Sequence, residues 1–215
     1  MDFRIKNELA FYPNLGFAYL PVNIDPLKVY NDAYFDRYQG YETQLHNSSI
    51  THELNKFRCA FVNEFTDDLV VDIGCGSGTF IKKRRNPTLG YDIMPKTVEW
   101  LKKQSLYIDP YEEENSSLNA LSFWDSLEHI PEPDKLLRKV KMGGFVFVTV
   151  PIFEEQTEEA IKKSKHYRPL EHCWYFSKAG LCNFMQGFKL LEMTDDETNA
   201  GREGVMSFAF QKGVK

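Results

Sequence analysis

Two carboxylates and a run of glycines give the first chemical lead. Asp72 stands just before Gly74-Cys75-Gly76-Ser77-Gly78, and Asp92 lies 18 residues after Gly74. Closely spaced glycines let a backbone turn tightly and let a ligand approach where a Cβ would otherwise stand. The order departs from the G-x-G-x-x-G spacing of dinucleotide sites, and an acid beside the glycines repels a diphosphate while suiting a positive charge or an amino group. Asp92, ending an extended run, has the place of an acid that hydrogen-bonds ribose hydroxyls. The remaining acid–base chemistry sits in Asp125, Glu128 and His129 of one stretch and in His172 of another. An imidazole is the side chain suited to taking up a proton near neutrality.

Those groups need a scaffold that brings strand ends together. Leu69-Val70-Val71 is short, apolar and β-branched, as suits a strand covered on both faces of a parallel sheet. A helix is expected to open at Thr79 and must end at Asn86-Pro87. A second strand over residues 88–94 leads to a helix from Pro95 to Gln104, with the proline tolerated in its first turn. Leu106-Tyr107-Ile108-Asp109 is the expected third strand, residues 117–123 the fourth and 143–150 the fifth, with a short helix over 131–140. Ser177 is placed to cap a helix reaching Gly187. Phe188 to Met193 and Val205 to Phe210 are joined by a turn over Asp195 to Gly201, too short for a crossover, so that pair must be antiparallel. The pattern predicts an α/β fold, a Rossmann-like three-layer sandwich around a seven-stranded, mostly parallel sheet with one antiparallel strand.

Val71-Asp72-Ile73-Gly74-Cys75-Gly76-Ser77-Gly78 resembles motif I of the class I S-adenosylmethionine-dependent methyltransferases. Ala120 to Pro133, with its Leu127-Glu128-His129 segment, resembles the fourth strand and following loop of the same family. The likeness covers roughly residues 65–155 and continues more loosely to the C-terminus; it is to the small-molecule type, similar to ubiquinone-biosynthesis methyltransferases. It implies S-adenosyl-L-methionine as cofactor, S-adenosyl-L-homocysteine as product, and methyl transfer to an oxygen or nitrogen of a small molecule.

On that resemblance, Asp72 and the backbone of Gly74, Cys75, Gly76 and Gly78 orient the methionine portion, and Asp92 holds the ribose. Ile93 with Met94 packs on the adenine, while Trp124, Asp125 and Leu127 complete the cofactor site. Asp109 resembles the acid that accepts from the adenine amino group; the competing reading is a turn before the solvated run Glu112-Glu113-Glu114. Tyr167 to Phe176 is similar to the loop before the last helix in methyltransferases of small metabolites, which makes His172 the first candidate base, ahead of His129 and Asp125. Packing among aromatics is the other role open to His172, and shaping the loop that of His129. Two further functions stay open: a tRNA or protein methyltransferase, and a cofactor-binding module without turnover.

The expected division is an aromatic-rich cover over the cofactor cleft, residues 1–66, and a core, residues 67–215, with a substrate loop at 151–176. Phe11 to Pro21 reads as a packed loop or small hairpin, and a helix beginning at Pro26 sets Tyr30, Tyr34 and Tyr38 on one face. By resemblance, Phe35, Tyr38 or Tyr41 lines the cleft. A helix from Ser49 to Glu64, capped by Thr51, presents Leu54, Phe57, Phe61 and Phe65 to the core; Arg58 beside them either partners an acid near the site or faces solvent. Residues 154–165 suit a solvent-exposed helix or a mobile lid.

Composition bounds the rest. A chain of 215 residues with a 42% hydrophobic share can bury a single large core. Net charge is -5, and the one dense basic run, Lys82-Lys83-Arg84-Arg85, falls at a helix end where solvent and dipole accommodate it. Broad nucleic-acid binding is therefore not expected, with tRNA kept as an alternative. Cys59, Cys75, Cys173 and Cys182 have no zinc-ligand spacing, so reduced thiols and no metal site are expected. Charged residues interrupt any leader, and no run of 18 apolar residues exists, which predicts a soluble cytoplasmic protein without membrane insertion, as monomer or homodimer. No Asn/Asp-Pro-Pro-aromatic tetrapeptide or Pro-Cys nucleophile is present, and this favours a small-molecule acceptor.

Overall fold

In the computed structural model of the chain, residues 8–21, 25–31, 33 and 49–213 are described. The elements run β1 (Ala10–Tyr12), β2 (Phe17–Tyr19), α1 (Pro26–Val29), α2 (Ser49–Asn63), β3 (Val70–Ile73), α3 (Thr79–Lys83), β4 (Thr88–Tyr91), α4 (Pro95–Lys103) and β5 (Leu118–Trp124). A short 3-10 turn at Leu127–His129 then leads to α5 (Asp134–Leu137), β6 (Val140–Pro151), α6 (Glu158–Lys163), β7 (Trp174–Phe176), α7 (Lys178–Phe184), β8 (Phe188–Thr194), α8 (Asp196–Asn199) and β9 (Val205–Lys212).

Successive strand residues point to opposite faces, and here they feed two different cores. Val71, Leu121, Phe123, Val146, Val148, Phe208 and Phe210 pack into one cluster with Phe176 and Leu181. Val70, Ala120, Trp124, Phe147 and Ala209 pack into the other, under Phe57 and Phe61 of α2 and Phe65 just beyond its end. The main sheet therefore lies between two layers, as the three-layer expectation requires. Its order is β4-β3-β5-β6-β9-β8, six strands rather than seven. Strand β9 runs antiparallel to both β6 and β8 and is the reversed strand of this sheet.

The missing strand is the third. Leu106 to Asp109 contributes only an isolated parallel bridge, Gly90 to Tyr107. Gly90 N donates to Leu106 O at 2.8 Å and Ile108 N to Gly90 O at 3.2 Å, and there the ladder stops. Ser105 enters with φ 57°, and Asp109 turns the chain away by accepting from Tyr111 N at 3.0 Å, so no length remains to pair.

Before residue 67, the described segments belong to different parts of the molecule. Strands β1 and β2 form the hairpin, and β7 adds to it, giving a three-stranded antiparallel sheet in the order β1-β2-β7. Gly180 of α7 meets this hairpin so closely that an added Cβ would stand 1.8 Å from Gly16 O. Ser177 caps α7 by accepting from Gly180 N at 3.0 Å while its Oγ donates to Gly16 O at 2.8 Å. Helix α2 covers the main sheet, and Thr51 lies inside it instead of capping it. Helix α6 is anchored rather than free: Ile161 is fully buried with Leu20, Phe153 and Tyr175. Tyr34, Phe35, Tyr38 and Tyr41 lie outside the described residues. Among the described residues, no helix is long and apolar enough to cross a membrane.

Candidate active site

A cavity of about 480 Å³ opens at the carboxyl ends of β3, β4, β5 and β6, where α/β sheets hold their ligands. The glycines shape one side of it. Gly74, Gly76 and Gly78 have φ of 71°, 55° and 71°, a region closed to most side chains. They serve different ends. An added Cβ on Gly74 would strike Ser126 and one on Gly78 would strike the Trp100 ring, whereas one on Gly76 meets nothing within 4 Å. Gly76 thus keeps open the space a ligand needs, and Gly78 owes its identity to packing outside the cavity. Two side chains hold the loop: Asp92 accepts from Gly76 N and Met94 N at 2.8 Å each, and Thr97 Oγ1 donates to Gly76 O at 2.9 Å.

Asp72, Gly74, Cys75, Gly76, Asp92 and Ile93 line the cavity, as do Met94, Trp124 and Asp125. Burial pushes the Asp72 carboxyl up to about 7 against the opposing pull of Ser122, which donates to it at 2.8 Å, and of Arg58. Burial likewise raises Asp92, opposed by the Met94 and Gly76 amides. Ile93 is 40% exposed at the mouth. Trp124 Nε1 is buried and has no hydrogen-bond partner among the described residues. A clear space at Gly76, two buried acids and an unsatisfied donor fit a polar, positively charged nucleoside ligand.

Three expected cofactor residues do not line this cavity. Gly78 is turned against Trp100, Asp109 caps its own turn at Tyr111, and Leu127 is fully buried in the core cluster under the sheet. Tyr111, two residues after Asp109, lines the cavity instead.

Beside the cofactor half, the sheet face under α2 changes from apolar to polar. Thr149 Oγ1 lies 2.8 Å from Ser207 Oγ and donates to Glu197 Oε1 at 3.2 Å. Arg58 donates to Glu197 through Nε at 2.7 Å and to Asp125 at 3.1 Å. Arg202 pairs with the same Glu197 and donates to Asp125 at 2.6 Å. Arg58 therefore partners an acid near the site, not solvent. Burial alone would raise Asp125, but the Arg202 and Arg58 guanidiniums outweigh it and bring the carboxyl down to about 2. With both oxygens held by guanidiniums, Asp125 is an anchor and a poor proton acceptor. The sequence does not single out Glu197, which falls in the expected Asp195 to Gly201 turn, or Arg202, which follows it.

The histidines meet across the fold. His129 and His172 stand edge to face with ring centroids 4.6 Å apart, and both line the cavity. Tyr30 OH lies 2.6 Å from His129 Nδ1, which ties the segment after α1 to the turn after β5. Burial lowers His129 to about 4 and His172 to about 2, the latter helped by His129 and Arg168. His172 is therefore neutral but far from the near-neutral base expected of an unperturbed imidazole. Its Nδ1 has no partner among the described residues, and neither has Oε2 of Glu128, a fully enclosed carboxyl in the same place. Of the expected substrate loop, Arg168, Leu170, His172 and Pro151 line the cavity, while Tyr175, Phe176 and Phe153 are core.

A family model described as a methyltransferase domain matches residues 41–192. The chain is 24% identical over 178 residues to a tRNA U34 carboxymethyltransferase of Campylobacter jejuni, covering 70% of this chain and 61% of that one. It is 29% identical over 119 residues to a ubiquinone biosynthesis O-methyltransferase of Vibrio parahaemolyticus, covering 45% of this chain and 51% of the relative. The match thus spans only part of the length of these relatives. The crystal structure of the 1,6-didemethyltoxoflavin-N1-methyltransferase of Burkholderia thailandensis, with bound 1,6-didemethyltoxoflavin and S-adenosylhomocysteine, shares the fold at a TM-score of 0.58 and 12% identity, over 96% of this chain and 100% of that one.

Proposed function

Because the chain belongs to the methyltransferase-domain family, we propose that it moves a methyl group from S-adenosyl-L-methionine to an oxygen or nitrogen of a small-molecule acceptor. The cofactor supplies an electrophilic methyl group for in-line attack. The protein's contribution is to hold donor and acceptor in contact and away from water. Gly76 leaves the space, Asp92 keeps lone pairs for ribose hydroxyls beyond its two backbone bonds, and Ile93 offers an apolar edge at the mouth. Asp72, buried beside the glycines, favours the cationic form of the ligand over its neutral product.

The acceptor side is built from His129, His172, Arg168 and Leu170. The neutral His172 imidazole, on this wall of the cavity, orients the acceptor's hydroxyl or amine. The observation that carries the reading is a single cavity, in the size range of small-molecule sites, lined both by the Gly76–Asp92 clamp and by the histidine pair. Purified protein incubated with methyl-labelled cofactor should label a component of a metabolite extract. Cofactor binding without transfer to any metabolite, nucleic-acid or protein fraction would favour a binding module. A tRNA acceptor is the second reading, favoured by the likeness to a tRNA U34 carboxymethyltransferase; label entering the tRNA fraction alone would select it.

A further inference from the structure

Glu128, His129 and His172 do more than line a wall. Their ligand-type atoms all lie within 4.8 Å of one another. We infer that these three side chains bind one divalent first-row metal ion, such as zinc or cobalt(II), through a carboxylate oxygen and two imidazole nitrogens. Two imidazoles and one carboxylate form a donor set suited to such ions rather than to magnesium or calcium. Three protein ligands leave a coordination position free, and all three residues border the cavity.

The backbone has already assembled the site. Cys173 N donates to Glu128 O at 2.7 Å, and Cys173 Sγ lies 3.6 Å from His129 O, which fixes the loop carrying His172 against the turn carrying the other two. Tyr30 OH occupies His129 Nδ1, leaving Nε2 for the ion; an outer hydrogen bond of this kind holds a ligating imidazole in one orientation. His129 Nε2 lies 4.0 Å from Glu128 Oε1. The Glu171 backbone also faces this imidazole, and an ion displaces that contact. Bonds of about 2.0–2.1 Å in a tetrahedral site bring ligand atoms to about 3.4 Å apart, so binding tightens the triad by roughly an ångström.

The unsatisfied atoms supply an independent reason. Glu128 is 2% exposed and His172 4%, yet Glu128 Oε2 and His172 Nδ1 have no partner among the described residues. A buried polar atom left without a partner is costly. The guanidiniums of Arg58 and Arg202 are both bonded to Asp125 and Glu197, and that of Arg168, also on the cavity wall, lies 3.5 Å from the Glu171 carboxylate. A metal ion satisfies both orphaned atoms at once. The inference does not depend on which molecule accepts the methyl group, because it concerns what the three side chains bind.

The test uses the full chain, stripped with chelator and titrated with cobalt(II) and then zinc. One equivalent of cobalt should give visible absorption of a nitrogen and oxygen site without sulfur-to-metal charge transfer, and zinc should displace it. His172→Ala and Glu128→Gln should abolish stoichiometric binding with circular dichroism unchanged, and Tyr30→Phe should weaken it by roughly 10- to 100-fold. His52→Ala, on an exposed helical position, should bind as the parent does. Absence of a one-to-one cobalt spectrum in the unmutated chain would overturn the inference. So would a thiolate band, or undiminished binding by the folded His172 and Glu128 variants.

Discussion

The two halves of the cavity are built in opposite ways. The cofactor half is local: Gly76, Asp92 and Thr97 come from consecutive β–α units and hold one another through short backbone bonds. The other half is assembled from afar. Tyr30 meets His129, Arg58 meets Glu197 and Asp125, and His172 meets His129, each pairing joining segments far apart in the chain. A site made of neighbouring residues can keep its form through local geometry, whereas one made of distant residues depends on the whole fold. The first half should therefore tolerate damage to the second better than the reverse.

The largest effect should come from Arg58→Ala, which strips one guanidinium from the buried Glu197 and Asp125. Breaking a buried pair on one side costs about 3–5 kcal/mol, and chemical denaturation should show a loss of that size. A loss under about 1 kcal/mol would mean that Arg202 alone suffices. Next, Asp92→Ala should weaken cofactor binding by about 10- to 100-fold, since the ribose hydroxyls lose a charged acceptor worth roughly 1.5–3 kcal/mol. Calorimetry should find that loss, with the histidine side of the cavity undisturbed.

His172→Ala should be the converse, lowering methyl transfer by about 10²-fold while cofactor affinity stays within a factor of two or so. Equal losses of binding and transfer would show that the halves are not separable. The smallest effect is a pH dependence at Asp72. Its carboxyl is raised from 3.8 to about 7 in the fold, mainly by burial. The folded state thus keeps a proton that the unfolded chain releases, so stability falls as pH climbs between those values and levels off above the upper one. Binding of a cationic ligand favours the ionised form, so S-adenosylmethionine affinity should rise by up to about tenfold per pH unit below 7, and that of the neutral product less. Asp72→Asn should flatten both curves.

The same contrast explains what could be read from the sequence. The glycines that adopt φ of 55–71°, the acid just after β4 and the β-branched run of β3 each declare themselves within a few residues. The reversed strand was legible because its connection is too short for a crossover. The third strand was not: Leu106 to Asp109 has strand composition, but the Asp109 turn and Ser105 leave it one bridge long. Glu197 and Arg202 look like polar turn residues until the fold buries the glutamate against Arg58 and Thr149. The near-neutral base expected at His172 failed for a similar reason, since only the packed structure shows how little water reaches that ring.

The sheet shared by β1, β2 and β7 also bears on how the protein is made. Gly16 and Ser177, which lock the hairpin to α7, are 161 residues apart. At synthesis rates of about 5–20 residues per second, the hairpin leaves the ribosome roughly 8–30 s before its third strand. A two-stranded hairpin is at best marginally stable in water. During that interval Phe17 and Tyr19 have no β7 to cover the edge of β2, and an unpaired edge invites pairing with other chains. A growing chain arrested before residue 174 should therefore be the form most dependent on chaperones.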